Sequence, residues 1–224
     1  MTFSISARCP RTGMFGIAVS SSSPCVAARC AHARAGAGVV ATQNITDPSL
    51  GPRGLDLMAS GLSAAVALER LKATSPHIAY RQLALVDRDG GSADFSGDKT
   101  LGRHHSMAVK DVVAAGNLLA DTAVPERMVE TFVALREEAL GDRLVAAMRA
   151  GLAAGGEEGP VRSAGMLLVR AVAWPIADLR IDWSDDPIGE LAALWELWKP
   201  QMEAYVTRAL APGSAPSYGV AGDR

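Results

Sequence analysis

"TFSISARCPRTGMFGIAVSS", residues 2–21, reads as two strands joined by a tight turn. Phe3, Ile5 and Ala7 alternate with Thr2, Ser4 and Ser6, the period-two pattern of a strand whose two faces meet different surroundings. Pro10 fixes φ and Gly13 is free to take positive φ, so the chain reverses and "MFGIAVS" returns as an antiparallel partner. A threonine thus stands at the head of the first strand, one residue after Met1.

Working outward, "AGVVATQ" (37–43) reads as a third strand, with Thr42, Gln43 and Asn44 where it stops. From Gly51 the period lengthens: Leu55, Met58, Val66, Leu68 and Leu71 fall at helical spacing, with Gly61 as the break between two helices. "RQLALVDRDGGSADFSG" (81–97) is a second hairpin around its Asp/Gly turn, and "HHSMAVKDVVAAGN" (104–117) adds one more strand. Residues 126–156 read as helix, break, helix, followed by strands in "SAGMLLVRAVAW" (163–174) and "ADLRIDWS" (177–184). A terminal helix broken near Pro200 follows, with Asp185 and Asp186 placed to cap its start.

This order lacks the steady strand–helix alternation that parallel sheets need, so the class is α+β with antiparallel sheets covered by helices. Phe3, Ile5, Ile17, Val19, Val39, Leu83, Leu85, Met166 and Leu168 are the expected apolar layers. With 224 residues and 49% apolar composition, one domain over residues 1–211 is expected, with 212–224 as a flexible tail.

A formal net charge of −2 gives no basic surface for nucleic acid or an anionic membrane, and no apolar run is long enough to span one. A cytoplasmic protein with a small-molecule partner is the expectation. Cys9, Cys25 and Cys30 cannot all pair and lack zinc-site spacing, so they read as reduced thiols, with Cys25 placed to border a pocket. His104 and His105 face opposite sides of a strand, and His32 and His77 have no ligand-spaced partner, so no metal is expected. "GAGVVATQ" precedes a strand instead of following one, which removes the basis of a dinucleotide fingerprint; no cofactor is expected. Trp174, Trp183, Trp195 and Trp198 crowd the last quarter of the chain, and apolar residues on more than one face of the terminal helix point to a homodimer.

Threonine needs a base to act as a nucleophile, and the chain's own α-amine can be that base once the threonine comes first. The stretches "ARAGAGVVATQ", "GPRGLDLMASGLSA", "RQLALVD", "AAGNLLAD" and "DLRIDWSDDPIGELAALWEL", together with the opening hairpin, resemble the domain of unknown function 1028 family. That family is similar in fold to the N-terminal nucleophile (Ntn) hydrolases, so the resemblance implies a four-layer αββα sandwich and amide hydrolysis through an acyl-enzyme. Thr2 matches the nucleophile position. At the end of the second strand, where proteasome-like members hold an acidic residue near the amine, this chain has Ser20–Ser23. Gln43 and Asn44 at their strand end, and Asn117 in "AAGNLL", are the candidate oxyanion donors, although capping and turn roles fit those amides equally well. Arg34 and Ser20 are the candidate substrate-binding residues; Arg53 in "GPRG" reads as a loop charge. The alternative is a catalytically silent domain of the same fold that binds a metabolite or scaffolds an oligomer.

Overall fold

The computed structural model describes residues 1–222. Strand β1 (Thr2–Arg8) pairs antiparallel with β2 (Phe15–Ser21), from Phe3 opposite Ser20 to Arg8 opposite Phe15. The turn closes through Cys9 N–H donating to Met14 O at 2.8 Å, with Gly13 at φ +69° where a side chain is disfavoured. A short helix α1 (Ala27–Cys30) leads to strands β3 (Ala31–Arg34) and β4 (Gly38–Asn44). Helices α2 (Leu50–Ala59) and α3 (Ala64–Thr74) follow, broken at Gly61 with φ +99°. Strands β5 (Arg81–Asp87), β6 (Ser92–Ser96), β7 (His105–Val109) and β8 (Val112–Asn117) come next, then α4 (Val124–Ala134) and α5 (Leu140–Ala153). Strands β9 (Ser163–Val169) and β10 (Ala177–Ile181) precede α6 (Pro187–Trp198) and α7 (Met202–Leu210).

Two sheets result, ordered β10-β9-β2-β1-β8-β7 and β3-β4-β5-β6, with every pairing antiparallel. The even face of β1 and the matching residues of its neighbours look toward the second sheet; the odd face looks out. Phe3, Ile5, Met166 and Leu168 pack outward under α4, α5 and α6 with Met128, Leu144 and Trp195. Val40, Leu83 and Leu85 pack outward under α2 and α3 with Leu55, Met58 and Leu71. Between the sheets lie Ile17, Val39, Ala41, Ala84, Val86 and Val113. This is the four-layer αββα sandwich the resemblance implied. All nine expected core residues are at most 1% exposed.

Three readings need correction. Residues 104–117 form two strands, because Asp111 takes the left-handed φ of +68° and reverses the chain without a glycine. The strand read through Trp174 stops at Val169, where pairing with β2 ends. Segment 27–34 supplies α1 and the edge strand β3. Asp186 Oδ1 accepts from Gly189 N at 3.0 Å and caps α6, while Asp185 instead pairs with Arg162. Trp195 is 2% exposed and packs on Gly141, so α6 lies across the large sheet. Beyond α7, Tyr218 meets Tyr205 edge to face and lies 3.8 Å from the Arg208 guanidinium. Among the described residues no helix is long and apolar enough to cross a membrane.

Candidate active site

Thr2 begins β1 between β2 and β8, with Asn117 as its Cα partner on β8 and Ser21 across from it on β2. It is 6% exposed, and Met1, 37% exposed, lies over it with its side chain against Gly159. Thr2 Oγ donates to the Met1 carbonyl oxygen and lies 3.4 Å from Ser21 Oγ. Ser21 Oγ donates to the same Met1 oxygen. Two hydroxyls from neighbouring strands therefore converge on one acyl oxygen.

The hydroxyl of Ser21 is itself polarised. Its oxygen accepts from Ser23 N at 3.1 Å and lies 2.8 Å from Ser23 Oγ, which in turn accepts from the Arg29 guanidinium. Because Ser21 spends its own proton on Met1, the relay runs one way, from Arg29 through Ser23 and Ser21 to the carbonyl. Ser163 anchors this loop, accepting from Val26 N and donating to Ser23 O at 2.7 Å.

A buried carboxyl, Glu157, lies against the chain just past the end of β2. It follows α5 in "GGEEG", bridges to Leu119, and is 4% exposed. Its oxygens accept from Ser22 N at 3.0 and 3.2 Å. Burial pushes its carboxyl up to about 7, against the opposing pull of the chain's amino terminus and the Ser22 amide. The amino terminus acts on this carboxyl through its charge, and among the described residues the two form no ion pair.

Below Thr2, polar side chains fill the space between the sheets. Ser4 Oγ donates to Gln43 Oε1 at 2.7 Å, and Gln43 Nε2 donates to Gln82 Oε1 at 2.8 Å. Gln82 Oε1 also accepts from Asn117 Nδ2 at 3.0 Å, and Gln82 Nε2 donates to Gly116 O and Ser96 Oγ. The structure brings Thr2, Asn117 and Gln43 into one neighbourhood, but the amide protons of both side chains are directed into this network. Asn117 Oδ1 is buried without a hydrogen-bond partner.

The other expected residues lie apart. Asn44, at φ +74°, donates to Tyr80 O and accepts from Leu101 N, which makes it a loop clasp. Ser20 faces the helix layer and donates to Ser163 O at 3.0 Å. Arg34 pairs with Asp56 at 2.7 Å and borders an open cavity of about 440 Å³ with Val169 and Trp174, at the turn end of the hairpin. Arg53 holds the end of α3 through Ser75 and Thr74. Cys25 is exposed, Cys9 and Cys30 are buried, and all three are free thiols. His32 packs on Gly51, and burial lowers its pKa. Parity could have found Ser21, since the hairpin register sets it opposite Thr2; Glu157 gives no local signal.

The chain belongs to the family of unknown function DUF1028, whose profile matches residues 2–191. A crystal structure of a Silicibacter pomeroyi protein assigned to the same family is similar at 33% identity and TM-score 0.81, covering 88% of each chain. The ancestral beta-subunit Anbu from Yersinia bercovieri is similar at 10% identity and TM-score 0.37, covering 91% of this chain and 97% of that one. No curated protein matches this chain.

Proposed function

We propose that this chain is an Ntn-type hydrolase of a small amide or peptide-like substrate, with Thr2 as nucleophile once Met1 is released. The observation that supports the reading is the convergence of Thr2 Oγ and Ser21 Oγ on a single acyl oxygen. In the proposed reaction the freed α-amine of Thr2 takes the Oγ proton, directly or through one water, as Oγ bonds to the substrate carbonyl carbon. The carbonyl electron pair moves to oxygen, where Ser21, backed by Ser23 and Arg29, donates to it. Return of the proton to the leaving nitrogen lets the C–N bond break and leaves an acyl ester on Thr2. Water, deprotonated by the same amine, then releases the acid. Glu157, held by the Ser22 amide, supplies the nearby buried carboxyl whose charge favours the protonated amine during the reaction. Asn117 and Gln43 position the Thr2 strand through Gln82.

The test is protein whose loss of Met1 is verified by intact mass, treated with an acylating β-lactone and screened on simple amides. Processed wild type should gain one acyl mass on Thr2 and turn over an amide. Thr2→Ala should lose about 10³-fold or more, and Thr2→Ser should retain part of the activity. Processed protein that neither acylates nor hydrolyses would remove the reading. The burial of Thr2 beneath Met1 favours the second reading, a silent domain that binds a metabolite or scaffolds an oligomer. We also propose a cytoplasmic homodimer built on α6 and α7, where Leu197 and Leu210 remain exposed. A concentration-independent monomer in light scattering would exclude that dimer.

A further inference from the structure

At the opposite end of β1 from Thr2, six residues and about 20 Å along the strand, the turn of the opening hairpin meets α4, α5 and the β7–β8 turn around a cavity of about 190 Å³. Its lining includes Arg8, Arg11, Lys110, Arg136 and Arg143, with Asp111 as the one carboxylate, so cations outnumber anions five to one. The cations differ in how they are held. Arg8 pairs with Asp111 at 2.8 Å, and Arg11 and Arg136 share Glu137 at 3.2 and 3.4 Å. Arg143 has no carboxylate partner among the described residues.

Arg143 is also the most deeply placed, at 6% exposure. Its Nε donates to Phe132 O at 3.1 Å and its guanidinium lies 3.7 Å over the Phe132 ring. Among the described residues its two Nη nitrogens make no hydrogen bond and neither is fully buried, and the side chain lines the cavity. A buried guanidinium left without an anion carries a desolvation cost that a ring face and one carbonyl offset only in part. Arginine cannot escape that cost by losing its proton. The two Nη atoms form the fork that matches paired oxygens of a phosphate or carboxylate, and the cavity gives such a group room.

We propose that this cavity is a binding site for a small oxyanion, a phosphate or carboxylate group held by the Arg143 fork and attracted by Lys110 and Arg136 at the rim. The site is separate from Thr2 and does not depend on the proposed hydrolase chemistry.

The test is a titration of isotope-labelled full-length protein with inorganic phosphate and, separately, with succinate, followed by amide NMR at ionic strength held constant with chloride. Saturable shifts confined to residues 8–11, 110–112 and 132–143 are expected with at least one probe, and which probe saturates identifies the oxyanion class. Lys110→Ala combined with Arg136→Ala, both on the exposed rim, should weaken that binding by about three- to tenfold. Arg143→Lys, which keeps the charge and loses the fork, should weaken it by about tenfold or more. Shifts that never saturate with either probe, or that the rim variant leaves unchanged, overturn the proposal even if the Arg143 variant fails to fold.

Discussion

The open end of the first hairpin buries the Glu157 carboxyl and the turn end the Arg143 guanidinium, and the two chemistries respond to burial in opposite ways. At the open end, Glu157 can take up a proton, and its carboxyl is pushed up to about 7. At the turn end, Arg143 has its pKa lowered chiefly by burial but stays a cation through any ordinary pH. The acid relieves its own cost by taking up a proton; the base cannot, and the Phe132 ring and carbonyl relieve its cost only in part. The proposed proton transfer and the proposed anion binding thus rest on opposite answers to burial, about 20 Å apart along a single strand.

The largest effect that tests this contrast is catalytic. Removing the Ser21 hydroxyl in processed protein should lower kcat by about 10²–10³ with little change in KM, since the donor acts on the developing oxyanion. An unchanged kcat would leave the open end with no advantage over the turn end as a reaction site.

A smaller effect concerns stability. Glu157 binds its proton more tightly folded than unfolded, so its contribution is fully present below pH 4.5 and is lost as pH rises through about 7. The shift corresponds to about 3 kcal/mol of stability lost between those limits. Urea unfolding at pH 5 and pH 8 should show this loss in wild type, and Glu157→Gln, which keeps an acceptor for Ser22 N, should largely remove it. Arg143→Met sharpens the comparison from the other side. Its effect on stability should agree at pH 5 and pH 8 within about 0.5 kcal/mol, because the guanidinium itself exchanges no proton in that range.

What could be read from the sequence follows from how local each feature is. The hairpin, its turn and the core face of β1 were legible because period-two alternation is written within seven residues. Thr2 was legible by position. Ser21 was within reach through hairpin register, but four serines in a row conceal which of them share the face of Thr2. Glu157 and Arg143 were not legible: each is brought to β1 or its turn by helix packing across more than 130 residues of chain, and neither belongs to a local pattern. Asn44 stands at a strand end that its neighbour Gln43 shares with the site, but its left-handed φ turns it toward Tyr80 and Leu101. Asp111 shows the same limit, since a reversal carried by an aspartate resembles continuous strand in sequence.

The amides between the sheets have a direction. Ser4 gives its proton to Gln43, Gln43 gives to Gln82, Asn117 gives to the same Gln82 oxygen, and Gln82 gives to Ser96 and Gly116. Rotating any one amide by half a turn sets donor against donor or acceptor against acceptor at the next, so the set reorients together or stays as it is. Three of these bonds, Ser4 to Gln43, Asn117 to Gln82 and Gln82 to Gly116, cross from one sheet to the other, so the sheets are latched against sliding: a displacement by a single residue separates all three crossing pairs together, while Gln43, Gln82 and Ser96 stay joined within the smaller sheet.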